Sequence, residues 1–223
     1  MTTPLLEAIQ IETGPNPTAS VIWMHGLGAD GGDFVPIVRE MNLSGCPPIR
    51  FIFPHAPMMP VTINNGYVMP AWYDLLGVDL VSRQDEAGLR KSQTSIEQLI
   101  AQEKSRGIAS DRIVIAGFSQ GCAMTLQVGL RQPEKLAGLL CLSGYVPLQT
   151  TVTTERQHAN QDTPIFMAHG RADPIVPIDR AEKSRDFLTS LGYTVEWHEY
   201  AMQHSVCPEE VDDMGKWFRK VLA

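Results

Sequence analysis

A serine flanked by glycines is the residue whose setting most clearly supports covalent chemistry. The pentapeptide Gly117-Phe-Ser-Gln-Gly121 follows the β-branched run Ile113-Val-Ile115, which predicts a buried strand, and a helix-compatible segment from Cys122 to Arg131 comes next. A strand, a tight turn and a helix in this order hold a serine in a strained conformation above a sheet. Ser119 is therefore a candidate nucleophile, although a glycine-rich turn with an incidental serine gives the same pentapeptide.

A serine hydroxyl needs a base within hydrogen-bond reach and an acid that orients this base. After a strand–turn–helix of this kind, the acid and then the base follow in chain order. His204, between the last predicted strand and helix, is the best candidate base, and His169 is the other histidine near a late strand end. Asp173 is the best candidate acid, although an aspartate before proline also opens turns. Asp179 is its rival, but the position of Asp179 predicts a helix N-cap.

Acyl transfer from a serine also needs two N–H donors for the developing oxyanion. One is the backbone of Gln120, directly after the serine, and the other lies in the glycine-rich loop His25-Gly-Leu-Gly28, with Leu27 as the preferred donor. A phosphate-binding loop is excluded there because no Lys-Ser or Lys-Thr follows. Cys122 is an alternative nucleophile, since a helix N-terminus lowers the pKa of a thiol, but it lies past the serine turn, where a small packed residue is the simpler interpretation.

Strands alternate with helices along most of the chain, which predicts an α/β fold. Its mostly parallel central sheet is flanked by helices on both faces, and the ligand site lies at the carboxyl ends of the strands. Strands are predicted at Leu5–Glu12, Ser20–Met24, Ile49–Phe53, Ile113–Ile115, Ala137–Leu142, Pro164–Ala168 and Thr194–Tyr200. Helices are predicted at Asp33–Met41, Ser82–Arg106, Cys122–Arg131, Asp179–Leu191 and Pro208–Leu222.

Two stretches fall outside this alternation. The segment from Pro54 to Leu80 is rich in proline, methionine and aromatic residues, which favours an ordered, irregular loop that faces the ligand. The stretch from Ser143 to Thr163 is polar and is predicted to be an excursion from the sheet. The helix that follows the first stretch is predicted to begin with Ser82 and Asp85 as a capping box.

Length and composition restrict the class of protein. The 223 residues predict a single domain over residues 1–223, and 43% hydrophobic with 19% charged residues indicates a globular chain. A net charge of −7 argues against a nucleic-acid partner, and no apolar run reaches membrane-spanning length. Neither a signal peptide nor a cysteine pattern for metal or disulfides is present, so a cytoplasmic location is expected.

Taken together, these motifs resemble the acyl-protein thioesterase / phospholipase–carboxylesterase family of α/β-hydrolases, and its bacterial small-ester hydrolases look most similar. The resemblance spans nearly the whole chain, and its motifs are more specific together than singly. The matching stretches are His25-Gly-Leu-Gly-Ala-Asp30, Phe53-Pro-His-Ala-Pro57, Thr62-Ile-Asn-Asn-Gly66, Ala71-Trp-Tyr-Asp74, Gly117-Phe-Ser-Gln-Gly121, His169-Gly-Arg-Ala-Asp-Pro174 and His204-Ser-Val206.

The resemblance implies an α/β-hydrolase fold and a serine hydrolase of carboxylic esters, and of thioesters, with short to medium acyl chains. Lysophospholipids or S-acylated proteins are alternative substrates, and a catalytically silent binding protein is the non-enzyme alternative. The resemblance further implies no metal, no cofactor and a homodimer, and Cys122 departs from the glycine of many relatives. By similarity, Ser119, Asp173 and His204 form a triad, Leu27 and Gln120 donate to the oxyanion, and the acyl pocket is lined by Leu75, Leu76, Ile175 and Val176.

Overall fold

A seven-stranded, mostly parallel sheet forms the centre of the computed structural model, which describes residues 5–77 and 83–223. Its strands are β1 Ala8–Glu12, β2 Ala19–Met24, β3 Ile49–Pro54, β6 Ile113–Phe118, β7 Gly138–Leu142, β8 Ile165–Gly170 and β9 Val195–Tyr200. They lie in the order β1-β3-β2-β6-β7-β8-β9, and only the β1–β3 pair among them is antiparallel. Strands β4 Met58–Val61 and β5 Tyr67–Pro70 form a separate antiparallel hairpin.

The described helices cover both faces of this sheet. They are α1 Val35–Glu40, α2 Glu86–Ser105, α3 Gln120–Gly129, α4 Gln149–Glu155, α5 Ile178–Ser190 and α6 Pro208–Leu222. Every residue of β2, β7 and β8 is buried, as in parallel strands that are covered on both sides. Alternate residues of β2 enter two cores, Ile22 beside α2 and α3, and Trp23 beside α1 and α6. The predicted fold class is therefore confirmed.

The predicted inward faces of the last two helices are also present. In α6, the side chains of Val211, Met214, Phe218 and Leu222 are buried. In α5, Leu188 is buried, and Phe187 and Leu191 pack against the same core. Both helices therefore follow the 3.6-residue period from which they were predicted.

The segment from Pro54 to Leu80 is not wholly irregular, because it contains the β4–β5 hairpin. The turn between these strands uses Asn65 with φ 55° and Gly66 with φ 75°, two residue types that tolerate the left-handed region. Pro60 within β4 masks the strand pattern in the sequence. The end of the predicted segment, residues 78–80, lies outside the described residues.

Two predicted helix starts and one predicted setting are corrected. Helix α2 begins at Glu86, where the Asp85 side chain accepts from the Gly88 N–H, and Ser82 of the predicted capping box lies outside the described residues. Helix α1 has Phe34, not Asp33, at its N-cap and no side-chain cap. The stretch after β7 was predicted to be a polar excursion from the sheet. Its first part, residues 143–148, is instead buried, and α4 follows it.

Glu210, in the first turn of α6, gives the folded state a pH dependence. Its side chain is completely buried, and burial raises the pKa of its carboxyl to about 8 from an ordinary 4.5. Between these two values the unfolded chain releases this proton while the folded chain keeps it. The contribution of Glu210 to the free energy of unfolding therefore decreases as the pH rises through this window.

We expect Glu210→Gln to remove that loss, because glutamine has no proton to release. As the pH rises from 5 to 8, the free energy of unfolding of the variant should increase relative to that of the wild type. The total change in this difference should be on the order of 4 kcal/mol. Urea unfolding across this range measures the difference. Asp212→Asn, at an exposed neighbour, is the control. Parallel pH profiles for the wild type and Glu210→Gln would contradict the prediction.

Candidate active site

The backbone around Ser119 forms the sharp turn that the glycine spacing predicts. Ser119 has φ 55° and ψ −115° between β6 and α3, and its N–H donates to the Leu142 carbonyl at 2.8 Å. A Cβ on Gly117 would lie 2.1 Å from the Gly121 carbonyl oxygen, and one on Gly121 would lie 2.2 Å from that of Met24. Because strand and helix approach so closely, only glycine fits on either side of the serine.

Three side chains from distant parts of the sequence meet in one hydrogen-bonded chain. His204, after β9, places Nε2 2.9 Å from Ser119 Oγ and Nδ1 2.6 Å from Asp173 Oδ2. The carboxylate of Asp173 is completely buried, whereas the His204 side chain is 16% exposed. Because Nδ1 donates to the carboxylate, Nε2 is free of a proton and accepts from the serine hydroxyl.

The carboxylate of Asp173 is held on both of its oxygens. Its Oδ1 accepts from the backbone N–H groups of Ile175 and Val176 at 2.8 and 2.9 Å. His169 Nε2 donates to the Val176 carbonyl at 2.8 Å and lies 3.3 Å from Asp173 Oδ2. Burial lowers the pKa of His169, so this histidine is a neutral neighbour of the carboxylate and not the base.

Asp179, the rival acid, lies elsewhere. It is in the first turn of α5, whose N-cap is Pro177, so the predicted N-cap role of Asp179 is wrong. Its carboxylate pairs with Lys183 at 2.9 Å on the exposed side of the helix. Lys183, assisted by Arg180, lowers the pKa of this carboxyl. The arrangement is an ordinary surface pair between residues four apart.

The two predicted oxyanion donors belong to the helix after the serine and to a loop that packs against it. Gln120 is the first residue of α3, and N–H groups in a first helical turn have no acceptor within the helix. Gly26 approaches so closely that a Cβ on it would lie 3.4 Å from Ser119 Cβ, and Leu27 follows directly. Leu27, Gln120 and Ser119 line the same cavity. Backbone donors at such positions can stabilise a tetrahedral oxyanion.

His25 fixes the loop that carries Leu27. Its Nδ1 donates to the Gly26 carbonyl at 2.7 Å, and its Nε2 accepts from the Ala56 N–H at 3.1 Å. Burial lowers the pKa of this imidazole, which is consistent with a neutral ring that donates at one nitrogen and accepts at the other. His25 therefore positions the loop that carries Leu27, and we assign it no part in the chemistry of Ser119.

The side chain of Gln120 has a role that the sequence reasoning missed. Its Oε1 accepts from the Trp72 N–H at 2.8 Å, and its Nε2 donates to the Tyr73 carbonyl at 2.7 Å. The indole of Trp72 donates in turn to the His25 carbonyl at 2.9 Å. One buried amide thus joins the serine turn to the segment after β5. The stretch Ala71-Trp-Tyr-Asp74 marks this segment in the sequence, but its spacing from Gln120 does not show that the two are in contact.

A cavity of about 360 Å³ opens at Ser119 and is lined mostly by apolar side chains. Three of the four predicted acyl-pocket residues belong to it, with Val176 buried and Ile175 63% exposed at its margin. Leu76 does not, because it lies with Arg83 at a much smaller neighbouring cavity, which Leu75 also lines. The lining residues are Leu27, Ile63, Tyr73, Leu75, Ser119, Gln120, Tyr145, Pro174, Ile175, Val176, Pro177 and Arg180.

Cys122 does not reach this cavity. Its side chain is completely buried, and a Cβ on Gly144 would lie 2.6 Å from its Sγ. Desolvation, together with a hydrogen bond to Cys122, raises the pKa of the neighbouring Cys141 thiol well above its usual range. The position of Cys122 is therefore that of a packed residue beneath the serine turn.

Residues 5–77 and 83–223 contain neither of two other kinds of site, a metal centre or a membrane-spanning helix. Within these ranges, no group of three or more histidine, cysteine, aspartate or glutamate side chains is arranged to hold a metal ion. None of the helices described there combines the length and apolar character needed to cross a membrane.

Known proteins are similar to nearly the whole chain. The model of the phospholipase/carboxylesterase family matches residues 7–222. Acyl-protein thioesterase 1 of Gibberella zeae is 42% identical over 214 residues, which cover 92% of this chain and 91% of the relative. Acyl-protein thioesterase 1 of Yarrowia lipolytica is 39% identical over 222 residues, covering 97% and 98%. The crystal structure of Arabidopsis thaliana SOBER1 superposes with a TM-score of 0.86 at 31% identity, covering 92% and 99%.

Proposed function

This chain belongs to the phospholipase/carboxylesterase family and has an α/β-hydrolase fold, and from this premise we propose that it hydrolyses carboxylic esters and thioesters through Ser119. The observation that carries the proposal is the contact of Ser119 Oγ with His204 and of His204 with Asp173, at the mouth of an apolar cavity. The similar proteins of Gibberella zeae and Yarrowia lipolytica are acyl-protein thioesterases, which supports thioesters as one substrate class.

The geometry suggests how each group acts. Ser119 Oγ attacks the carbonyl carbon while His204 Nε2 takes the hydroxyl proton, and the tetrahedral oxygen receives hydrogen bonds from the backbones of Leu27 and Gln120. His204 then gives the proton to the leaving alcohol or thiol. Water activated by the same imidazole cleaves the acyl-enzyme, which releases the acid and restores the serine. Asp173 holds the imidazole tautomer and stabilises the imidazolium throughout.

The test of this function is covalent labelling together with turnover. A fluorophosphonate should label the wild-type protein at Ser119, as peptide mapping can determine, and p-nitrophenyl butyrate and a butyryl thioester should both be hydrolysed. Lysophosphatidylcholine and an S-acylated peptide test the alternative substrates in the same assay series. A folded protein that neither labels nor turns over any of these substrates would be the silent binding protein instead.

The cavity should also select the length of the acyl chain, and Leu75 should take part. Each buried methylene contributes about 0.8 kcal/mol, so kcat/KM should increase roughly fourfold per added carbon until the cavity is full. Leu75→Ala enlarges the cavity and should move the optimum to longer or bulkier acyl groups. Leu76→Ala is the matched control, since Leu76 lies outside this cavity.

The measurement is kcat/KM for p-nitrophenyl esters from acetate to dodecanoate, for the wild type and both variants. Identical profiles for the wild type and Leu75→Ala would show that Leu75 does not select the acyl chain. A shift for Leu76→Ala alone would restore the original assignment of that residue to the pocket.

The assembly and the location of the protein are further parts of the proposal. A homodimer is supported by the family resemblance and by the β4–β5 hairpin, where Met58, Tyr67 and Val68 are exposed apolar residues. Sedimentation equilibrium tests it directly. The continuous seven-stranded sheet supports a single catalytic domain. The four free cysteines support a location in the cytoplasm. Subcellular fractionation tests the location.

A further inference from the structure

Arg180 is a cation in the cavity of Ser119 that the proposed reaction does not use. It lies in the first turns of α5 and lines the cavity together with the serine. Its guanidinium carbon lies 5.5 Å from the centroid of the Tyr145 ring. Its Nη1 is buried without a hydrogen-bond partner, and no carboxylate of the described residues forms an ion pair with it.

The neighbouring acid attracts this charge through space but forms no ion pair with it. Asp179 precedes Arg180 in the chain, but its carboxylate pairs with Lys183 at 2.9 Å. A guanidinium remains charged at any physiological pH, and withdrawing it from water is costly unless anions or hydrogen-bond acceptors surround it. The face of the Tyr145 ring supplies part of this compensation, but the cation–π contact leaves the buried Nη1 without an acceptor.

The surroundings of Arg180 form a polar end within an otherwise apolar cavity. The hydroxyl groups of Tyr73 and Tyr145 lie 3.0 Å apart and both residues line the cavity. Burial raises the pKa of both hydroxyls, so both stay neutral and one donates to the other. Arg180 is the charged residue among the described lining residues, so it supplies the cation at this end of the cavity.

We propose that Arg180 determines specificity for acyl groups that carry a carboxylate at their far end, such as the half-esters and half-thioesters of dicarboxylic acids. The inference rests on the proposed function, since it assigns an anionic acyl chain to the same serine. The methylenes of such a chain contact Leu75, Val176 and their apolar neighbours. Its terminal carboxylate then reaches the guanidinium, which recognises carboxylates through two parallel hydrogen bonds.

The experiment compares p-nitrophenyl monoesters of glutaric, adipic and pimelic acid with their neutral isosteres. These isosteres are the 5-methylhexanoate, 6-methylheptanoate and 7-methyloctanoate esters, in which an isopropyl group replaces the carboxylate. The quantity measured is the ratio of kcat/KM for the charged ester to kcat/KM for its isostere. Hydrolysis in the presence of Ser119→Ala gives the non-enzymatic background, which is subtracted.

We expect Arg180→Met to lower this ratio at least tenfold for the best-fitting chain length, and Arg180→Lys to retain part of it. Increasing ionic strength should lower the wild-type ratio as well. Arg185→Met is the matched control, because Arg185 lies on the same helix and over the Trp197 ring at 4.9 Å but outside the cavity. An unchanged ratio in Arg180→Met, or an equal fall in Arg185→Met, overturns the inference.

A second pair of substrates locates the anion. The acetate ester of 4-hydroxybenzoate has a carboxylate on its leaving group. The acetate ester of 4-hydroxyacetophenone is the neutral equivalent. If Arg180→Met lowers the ratio only for this pair, the cation recognises leaving groups and the acyl assignment is overturned. Fluorophosphonate labelling separates the two proposals: absence of labelling and of all turnover defeats the proposed function, whereas labelling with an unchanged charge ratio defeats only the role of Arg180.

Discussion

Ser119→Ala is expected to lower kcat/KM for p-nitrophenyl butyrate by about 10⁴- to 10⁶-fold. Removing Oγ removes the atom that would form the acyl-enzyme, and water would have to attack without it. The proposed oxyanion donors belong to the backbone and would survive the substitution, so a small residual rate over the uncatalysed reaction should remain. The fold should survive too, since alanine keeps the Cβ and only one hydroxyl is lost.

Steady-state kinetics on the purified variant measure this loss, and fluorophosphonate labelling should disappear with it. Ser205→Ala, at an exposed serine next to His204, is the matched control and should label like the wild type. Circular dichroism and a thermal melt establish that each variant is folded. If Ser119→Ala retains more than a few per cent of wild-type kcat/KM, Ser119 is not the nucleophile.

Asp173→Asn is expected to lower kcat about 10⁴-fold while the protein stays folded. An asparagine can still accept from the Ile175 and Val176 N–H groups through its carbonyl oxygen. Its amide nitrogen then faces His204 Nδ1, where the carboxylate oxygen now lies at 2.6 Å. Since an amide N–H donates, it favours the tautomer with the proton on Nε2, which cannot accept from Ser119.

The kinetic measurement should separate this effect from loss of binding, because KM should change much less than kcat. Asp179→Asn is the control, since Asp179 was the rival acid in the sequence and pairs with Lys183 at the surface. A larger loss of kcat in Asp179→Asn than in Asp173→Asn would reverse the assignment of the two aspartates.

The parts of the fold that the sequence predicts well are those with strong local periodicity. Strands such as β2 and β7 appear as short apolar runs, and α6 repeats its apolar residues at helical spacing. The order of the serine, the aspartate and the histidine follows from the same logic, because successive parallel strands bring their carboxyl ends to one edge.

The parts that the sequence did not predict depend on contacts between distant segments. Nothing in the neighbourhood of Gln120 shows that its side chain joins Trp72 and Tyr73. Adjacent leucines at 75 and 76 cannot be told apart by type, yet Leu75 lines the cavity of Ser119 and Leu76 does not. Arg180 stands in an ordinary amphipathic helix, and only the placement of α5 brings it beside the serine.

The position of β9 at the edge of the sheet has a consequence for how activity and folding are coupled. Four of its six residues are half-buried before the exposed Glu199 and the buried Tyr200, and it pairs with β8 alone among the described strands. His204 follows this strand, whereas Ser119 follows a strand that is paired on both sides. Edge segments open at lower free energy than central ones. The imidazole can therefore move away while the serine turn remains intact. Loss of activity then measures the local opening of β9, whereas spectroscopic unfolding measures the loss of the central strands.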